Sequence, residues 1–198
     1  MSTKRIGIVL FDGFETLDVF GPVEMWGDLP DYKVFMVSEH GGPVKSAHGV
    51  EINAVYSFGS APQFDILMVP GGMGTRREVA NPALLAFLCE QDKGTEWTTS
   101  VCTGSALLAK AGLLTNRKAT SNKLAYVFAT AQNDKVLWQR SARWVIDGKY
   151  VTSSGVSAGI DMALGLVEKI YSRQTAENVA RETEYLWNDD PTSDPFAA

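Results

Sequence analysis

The sequence predicts a doubly wound α/β domain with a mostly parallel sheet and helices on both faces. Apolar runs of strand length recur at residues 5–11, 32–38 and 64–69, continuous rather than alternating, as in strands buried on both faces, and a β-prone stretch covers 97–101. Segments of helical period lie between and after them. The strands end in turn-forming residues: Asp12-Gly13, Pro70-Gly71-Gly72 and Cys102-Thr103-Gly104. Strand and helix alternating in this way indicate crossover connections and a parallel sheet.

The run 5–11 opens the chain. After it Leu17, Phe20 and Val23 fall near helical spacing, and Pro22, tolerable in a first turn, predicts a helix starting near Gly21. Residues 43–58 carry short alternating segments that predict a small hairpin. A helix is expected over 82–91, a strand over 97–101 and a short helix over 103–111, ended by Gly112. Asp147-Gly148, flanked by β-formers over 142–153, is the strongest hairpin signal in the chain, and it delivers Ser154-Gly155 beside the next helix. That helix, 156–171, repeats apolar residues at Ile160, Ala163, Leu164, Val167 and Ile170, with Gly159 and Gly165 permitting close packing. A last helix spans 175–187. From Asn188 the chain is an Asp/Pro-rich tail, in which Trp187 and Phe196 are candidates to pin it to the body or to sit at a dimer interface.

Composition limits the function classes. At 198 residues the chain suits one domain over residues 1–198, and its 45% hydrophobic and 21% charged content is that of a water-soluble globular protein. No segment is long and uncharged enough to span a bilayer, and no apolar signal region follows Met1, so a cytoplasmic location is expected. A net charge of −5 with scattered Lys and Arg argues against nucleic-acid or anionic-membrane partners. The two cysteines, Cys89 and Cys102, are expected as thiols, Cys89 in a helix core. No His/Cys cluster has metal-ligand spacing and no motif specifies an organic cofactor; Gly72-Met73-Gly74 lacks the third glycine of a dinucleotide fingerprint, with Arg77 in its place.

Cys102 is the candidate nucleophile. A β-prone stretch ends at it and a small-residue, helix-opening stretch begins, the pattern of a strand-to-helix elbow that lifts a side chain above the strand ends and aims it at a helix N-terminus, where thiolate is favoured. A free cysteine is also an ordinary core residue, so neighbouring chemistry decides. Gly71 and Gly72 can bring backbone N–H groups close to a ligand and, with the Thr103 N–H, form an anion hole. The only histidines, His40 and His48, sit in glycine-flanked turns far upstream. Thr103, beside the thiol, has a hydroxyl that cannot act as a base near neutrality. That leaves a thiol and a carboxyl, Asp18 in preference to Glu15. A carboxyl partly buried beside sulfur stays protonated and can pass a proton to a small electrophile.

The segments Leu17-Asp18-Val19-Phe20-Gly21-Pro22, Val69-Pro70-Gly71-Gly72, Ser100-Val101-Cys102-Thr103-Gly104-Ser105, Ala111-Gly112-Leu113-Leu114 and Ser157-Ala158-Gly159-Ile160-Asp161 together resemble the ThiJ/PfpI superfamily over nearly the whole chain. The resemblance implies the flavodoxin-like, class I glutamine amidotransferase-like fold and a homodimer. Asp before Gly-Pro, with Cys-Thr where PfpI-type proteases have Cys-His, is most similar to the isonitrile hydratase branch. By that resemblance Cys102 attacks the isonitrile carbon, Asp18 supplies the proton and later activates water, Thr103 holds the site, and an N-substituted formamide leaves. The branch usually carries Thr-Thr-His-Trp where this chain reads Thr120-Ser121-Asn122-Lys123, which implies a different pocket. The competing readings are a redox or small-molecule sensor built on an oxidisable Cys102, and a glyoxalase- or amidase-like enzyme. A third, the ligand domain of an AraC-like regulator, is disfavoured because no basic helices follow Trp187.

Overall fold

In chain order the computed structural model, described over residues 3–197, contains β1 (Lys4–Val9), α1 (Thr16–Gly27), β2 (Tyr32–Ser38), β3 (Gly42–Lys45), β4 (Glu51–Ala54) and β5 (Tyr56–Ser57). There follow β6 (Ile66–Val69), α2 (Thr75–Glu78), α3 (Pro82–Asp92), β7 (Trp97–Ser100), α4 (Gly104–Lys110), β8 (Lys118–Ala119), α5 (Tyr126–Thr130) and β9 (Leu137–Trp138). The hairpin β10 (Trp144–Asp147) and β11 (Tyr150–Ser153) precedes α6 (Ala158–Ile170) and α7 (Arg173–Glu182). The main sheet has the order β10-β11-β7-β6-β1-β2-β5, parallel throughout except for the β10–β11 hairpin. The expected doubly wound sheet is therefore present, as is the small hairpin, β3–β4.

The order reverses direction at β1: the chain steps one way to β2 and, later, the other way from β6 to β7. Right-handed crossovers then place α1 on one face and α3 on the other. Helices α1, α6 and α7 pack together, as do α3 and α4. All four residues of β6 are buried, and Ile6, Ile8, Leu67 and Val69 are shielded completely, which accounts for the unbroken apolar runs. The Trp26 indole donates to the Ala163 carbonyl at 3.1 Å, fixing α1 against α6. Gly159 and Gly165 make the close approaches expected of them, since an added Cβ would meet Val101 at 2.7 Å and Trp144 at 2.9 Å. Among the described residues no helix is long and apolar enough to cross a membrane.

Two helix boundaries differ from expectation. Helix α1 begins at Thr16, well before Gly21, and encloses Pro22. Pro22 cannot donate to the Asp18 carbonyl, a local cost that burial of Val19, Met25 and Trp26 outweighs. This places Asp18 in the first turn of a helix, facing inward. Helix α7 stops at Glu182 instead of reaching Trp187, because Glu184 takes a left-handed φ of 51° and the chain turns back onto the body.

The tail is anchored through Asp161, which is shielded from solvent. Its carboxylate accepts from Arg143 (2.6 and 2.7 Å), the Tyr185 hydroxyl (3.0 Å) and the Asn188 N–H (3.0 Å), and its carbonyl accepts from the Trp187 indole (3.2 Å). Trp187 thus pins the tail to the body, whereas Phe196 is exposed. Further along, the Pro191 carbonyl accepts from the Arg143 N–H at 2.8 Å, and the buried Asp194 carboxylate lies 3.8 Å from Lys123 and 4.0 Å from Arg143. Removing one partner of a buried ion pair strands the other. Asp161→Ala is expected to cost about 3–5 kcal/mol of unfolding free energy, read from urea denaturation; a loss under ~1 kcal/mol would show that the tail anchor is energetically idle.

Candidate active site

Four turns converge where β1, β6, β7 and β11 end, the position at which open α/β sheets build their sites. They carry Asp12-Gly13, Pro70-Gly71, Cys102-Thr103 and Ser154-Gly155. Cys102 is on the turn from β7 to α4 and has a φ of 56°, a left-handed conformation that a residue with a Cβ adopts only when its surroundings enforce it. Enforcement comes from both sides of the residue. Its N–H donates to the Ser154 carbonyl at 3.0 Å, and its carbonyl accepts from Ser121 at 3.0 Å and Ser105 at 3.2 Å. Val156, across the turn, is held at a φ of 46°.

Gly71 and Gly72 are required by contact with this turn. A Cβ on Gly71 would lie 2.5 Å from the Thr103 nitrogen and 2.8 Å from the Cys102 Cβ; Gly72, at a φ of 114°, would press one into the Glu15 nitrogen at 2.4 Å. The expected anion hole is not what their amides form here. The Gly71 N–H donates to Asp18 Oδ2 at 2.8 Å and the Gly72 N–H to the Thr103 hydroxyl at 3.2 Å, so both are committed to holding site residues. Thr103 is held in turn by the Thr75 hydroxyl, which donates to it at 3.1 Å, and its backbone N–H lies near the Cys102 sulfur.

Asp18 reaches the elbow from the first turn of α1 and is wholly shielded. Its Oδ1 atom is buried without a completed hydrogen bond, although the carboxyl lies close enough to interact with the Cys102 thiol. Burial, with the negative charge of Glu15 adding to it, pushes the Asp18 carboxyl up from 3.8 to about 8. A protonated carboxyl explains the orphaned oxygen: it carries the proton and has sulfur, or a substrate, to receive it.

The thiol departs from expectation. A helix N-terminus was expected to favour thiolate, but Cys102 is only 5% exposed, and burial followed by the charge of Asp18 pushes it up to about 12. Helix α4 is short, and its dipole does not offset the lost solvation. Near neutrality the site therefore holds a thiol and a carboxylic acid, and proton transfer between them has to accompany any attack.

His40 and His48 lie apart from the elbow. His40 is mostly exposed, 3.6 Å from Glu39, and His48 contacts Thr16 at 2.9 Å and Glu15 at 3.5 Å. Cys89 is half-buried, with its thiol on the Ala111 carbonyl, and both cysteines are free. Among the described residues no group of His, Cys, Asp and Glu could hold a metal ion. A cavity of about 570 Å³ opens beside Phe11, Glu39, Arg77 and Glu78 and is not lined by Cys102. Asn122 is a site residue that residue-type reasoning passed over: its carboxamide lies close enough to interact with the Cys102 thiol.

The sequence profile of the DJ-1/PfpI family matches residues 4–169. The chain belongs to the DJ-1/PfpI family. Among its curated relatives is the isonitrile hydratase of Pseudomonas putida, 34% identical over 91% of this chain and 78% of that protein. An HTH-type transcriptional regulator of Pseudomonas aeruginosa is 32% identical over 88% of this chain, which spans about half (53%) of the regulator's length. A deglycase of Thermococcus kodakarensis is 27% identical over 75% of this chain and 89% of its own. The crystal structure of a ThiJ/PfpI family protein from Pseudomonas syringae superposes with a TM-score of 0.83 at 32% identity, covering 96% of this DJ-1/PfpI chain and 78% of the other.

The Asp18 shift makes stability depend on pH. Between pH 4 and 8 the folded state holds a proton that the unfolded chain, with an ordinary aspartate, releases. The stabilisation is complete below about 4 and is lost as pH rises through about 8. Thermal unfolding is expected to show wild type losing stability from pH 5 to 8 relative to Asp18→Asn, with the variant the more stable at pH 8; parallel pH profiles would place the aspartate at its ordinary value.

Proposed function

We propose that this protein is a cysteine-dependent hydratase that adds water to a small electrophile, with an isonitrile as substrate and an N-substituted formamide as product. The observation that carries the reading is the shielded Asp18 carboxyl, pushed up to about 8, with an unpartnered oxygen beside the Cys102 thiol. A group titrating there is available both as acid and as base near neutrality. Kinship with the isonitrile hydratase supports the choice of substrate.

In the proposed reaction the Cys102 sulfur bonds to the terminal isonitrile carbon while that carbon takes a proton from Asp18. The thiol proton passes to Asp18, and a thioimidate, R–N=CH–S–Cys, results. Water then adds to the same carbon, giving one proton to Asp18 as nitrogen is protonated. Expulsion of sulfur, which takes the Asp18 proton while the new hydroxyl hands its own proton back to Asp18, leaves R–NH–CHO, the free thiol and a protonated Asp18. The sum is one water added, with no oxidant or reductant consumed. Thr103 holds the sulfur through its N–H, and Gly71 and Gly72 fix Asp18 and Thr103. The homodimer implied by the resemblance is part of this reading.

A redox sensor is less well supported, because oxidation follows thiolate character and exposure and Cys102 has little of either. Consumption of an aryl isonitrile with stoichiometric formamide is expected from wild type over many turnovers. Cys102→Ala should abolish it, and Asp18→Asn should lower kcat about 10²–10⁴-fold. Absence of turnover by fresh, reduced wild type, or turnover surviving in Cys102→Ala, would overturn the reading.

A further inference from the structure

The donors around the Cys102 sulfur do not all come from the elbow. Backbone N–H groups that glycine-rich turns would ordinarily offer are already used: Gly71 on Asp18, Gly72 on Thr103 and Cys102 itself on Ser154. The groups left near the sulfur are the N–H groups of Thr103 and Val156 and one side chain able to donate, the carboxamide of Asn122. The two backbone donors follow from the fold alone. Asn122 is the donor that side-chain chemistry selects.

Its placement is specific. Asn122 Oδ1 accepts from the Ala125 N–H at 2.9 Å, which fixes which end of the amide is which and turns Nδ2 toward the elbow. Nδ2 fills the notch at Gly155, where a Cβ would lie 2.4 Å from it. Gly155 stands between Ser154, which holds the Cys102 N–H, and Val156, whose N–H lies near the sulfur. The preceding residue, Ser121, donates its hydroxyl to the Cys102 carbonyl at 3.0 Å. The following one, Lys123, is buried and tied to Thr120 at 2.7 Å, the Ala142 carbonyl at 2.7 Å and, at 3.8 Å, to the tail carboxylate of Asp194. Asn122 is thus clamped from both sides, with a neutral donor aimed at the reacting atom.

We propose that Asn122 is a catalytic residue of this site, its carboxamide N–H holding the Cys102 sulfur and stabilising the charge that develops there as the thiol gives up its proton. This deepens the hydratase reading and rests on it for the reaction served. The titratable groups that face the sulfur are Asp18 from α1, protonated in the resting site, and, through it, Glu15, and neither supplies positive charge. The amide dipole is therefore a counterweight to negative charge, and it does so without titrating. An imidazole in the same place would change its own protonation near neutrality; a carboxamide does not.

The test is alkylation of Cys102 by iodoacetamide, followed by mass spectrometry between pH 7 and 9 in a Cys89→Ser background. Sulfur displaces iodide, so the rate reports the thiolate with no hydratase substrate present. Asn122→Asp keeps the size and the acceptor for Ala125 but replaces the donor with a negative charge; at least tenfold slower alkylation is expected, with a smaller slowing in Asn122→Ser, which keeps a hydroxyl donor. Folded Asn122→Asp protein alkylated at the wild-type rate would overturn the proposal. Should that variant fail to fold, wild-type rates in Asn122→Ser would overturn it instead. Because isonitrile turnover is scored separately, loss of the hydratase reading would leave the Asn122 result standing, and the converse.

Discussion

A carboxyl group shut away from water beside a thiol is the constraint around which the rest of this molecule is arranged. Taking a carboxylate out of water is costly unless it is well paired, and the single N–H of Gly71 does not pair it fully. The cost is met by keeping the proton, and the kept proton is what the chemistry uses. Asp18 can occupy that position only because α1 starts at Thr16 and turns its first carboxyl inward, with Pro22 accommodated further along. Gly71 can reach it only because no Cβ intervenes between β6 and the elbow. The backbone strain at Cys102 belongs to the same arrangement: a left-handed residue, locked by Ser154, Ser121 and Ser105, presents sulfur to the carboxyl.

The scaffold achieves this by converging parallel strands. Each of β1, β6, β7 and β11 ends in a turn that contributes one component, and the reversal of strand order at β1 opens the space between α1 and the elbow. The long-range supports are polar as well as apolar. Asp161, Arg143, Lys123 and Asp194 join the tail to α6, to the strand β10 and to the segment before α5, so the C-terminal residues brace the loop that carries Asn122. Kinship at about one-third identity to both an isonitrile hydratase and a transcriptional regulator shows that one fold carries unlike roles in this family, and the role has to be argued from the site.

Much of this was legible in residue order. Continuous apolar runs located β1, β2 and β6, β2 to the residue although it is only partly buried, and Asp147-Gly148 located the β10–β11 hairpin. The structure brings Cys102, Asp18, Thr103, Gly71 and Gly72 together. What local pattern could not supply was competition between distant terms. Pro22 is a helix-start signal in isolation, yet packing of Val19, Met25 and Trp26 sets the helix start. An elbow cysteine at a helix N-terminus reads as a thiolate, yet burial outweighs a short helix. Glycine amides read as free donors until the structure shows what they already hold. Asn122 stood out only as a departure from the family pattern; its meaning depended on Gly155, more than thirty residues later.

The central claim is that Asp18 keeps its proton at neutral pH, and the most direct measurement is a ¹³C NMR titration of the carboxyl in protein labelled at aspartate Cγ, with Asp18→Asn supplying the assignment. The Asp18 resonance is expected at its protonated position at pH 6, moving through a midpoint near pH 8. A midpoint near the ordinary aspartate value of 3.8 would contradict it, leaving Asp18 an anion in the resting site and removing the acid on which the proposed addition depends.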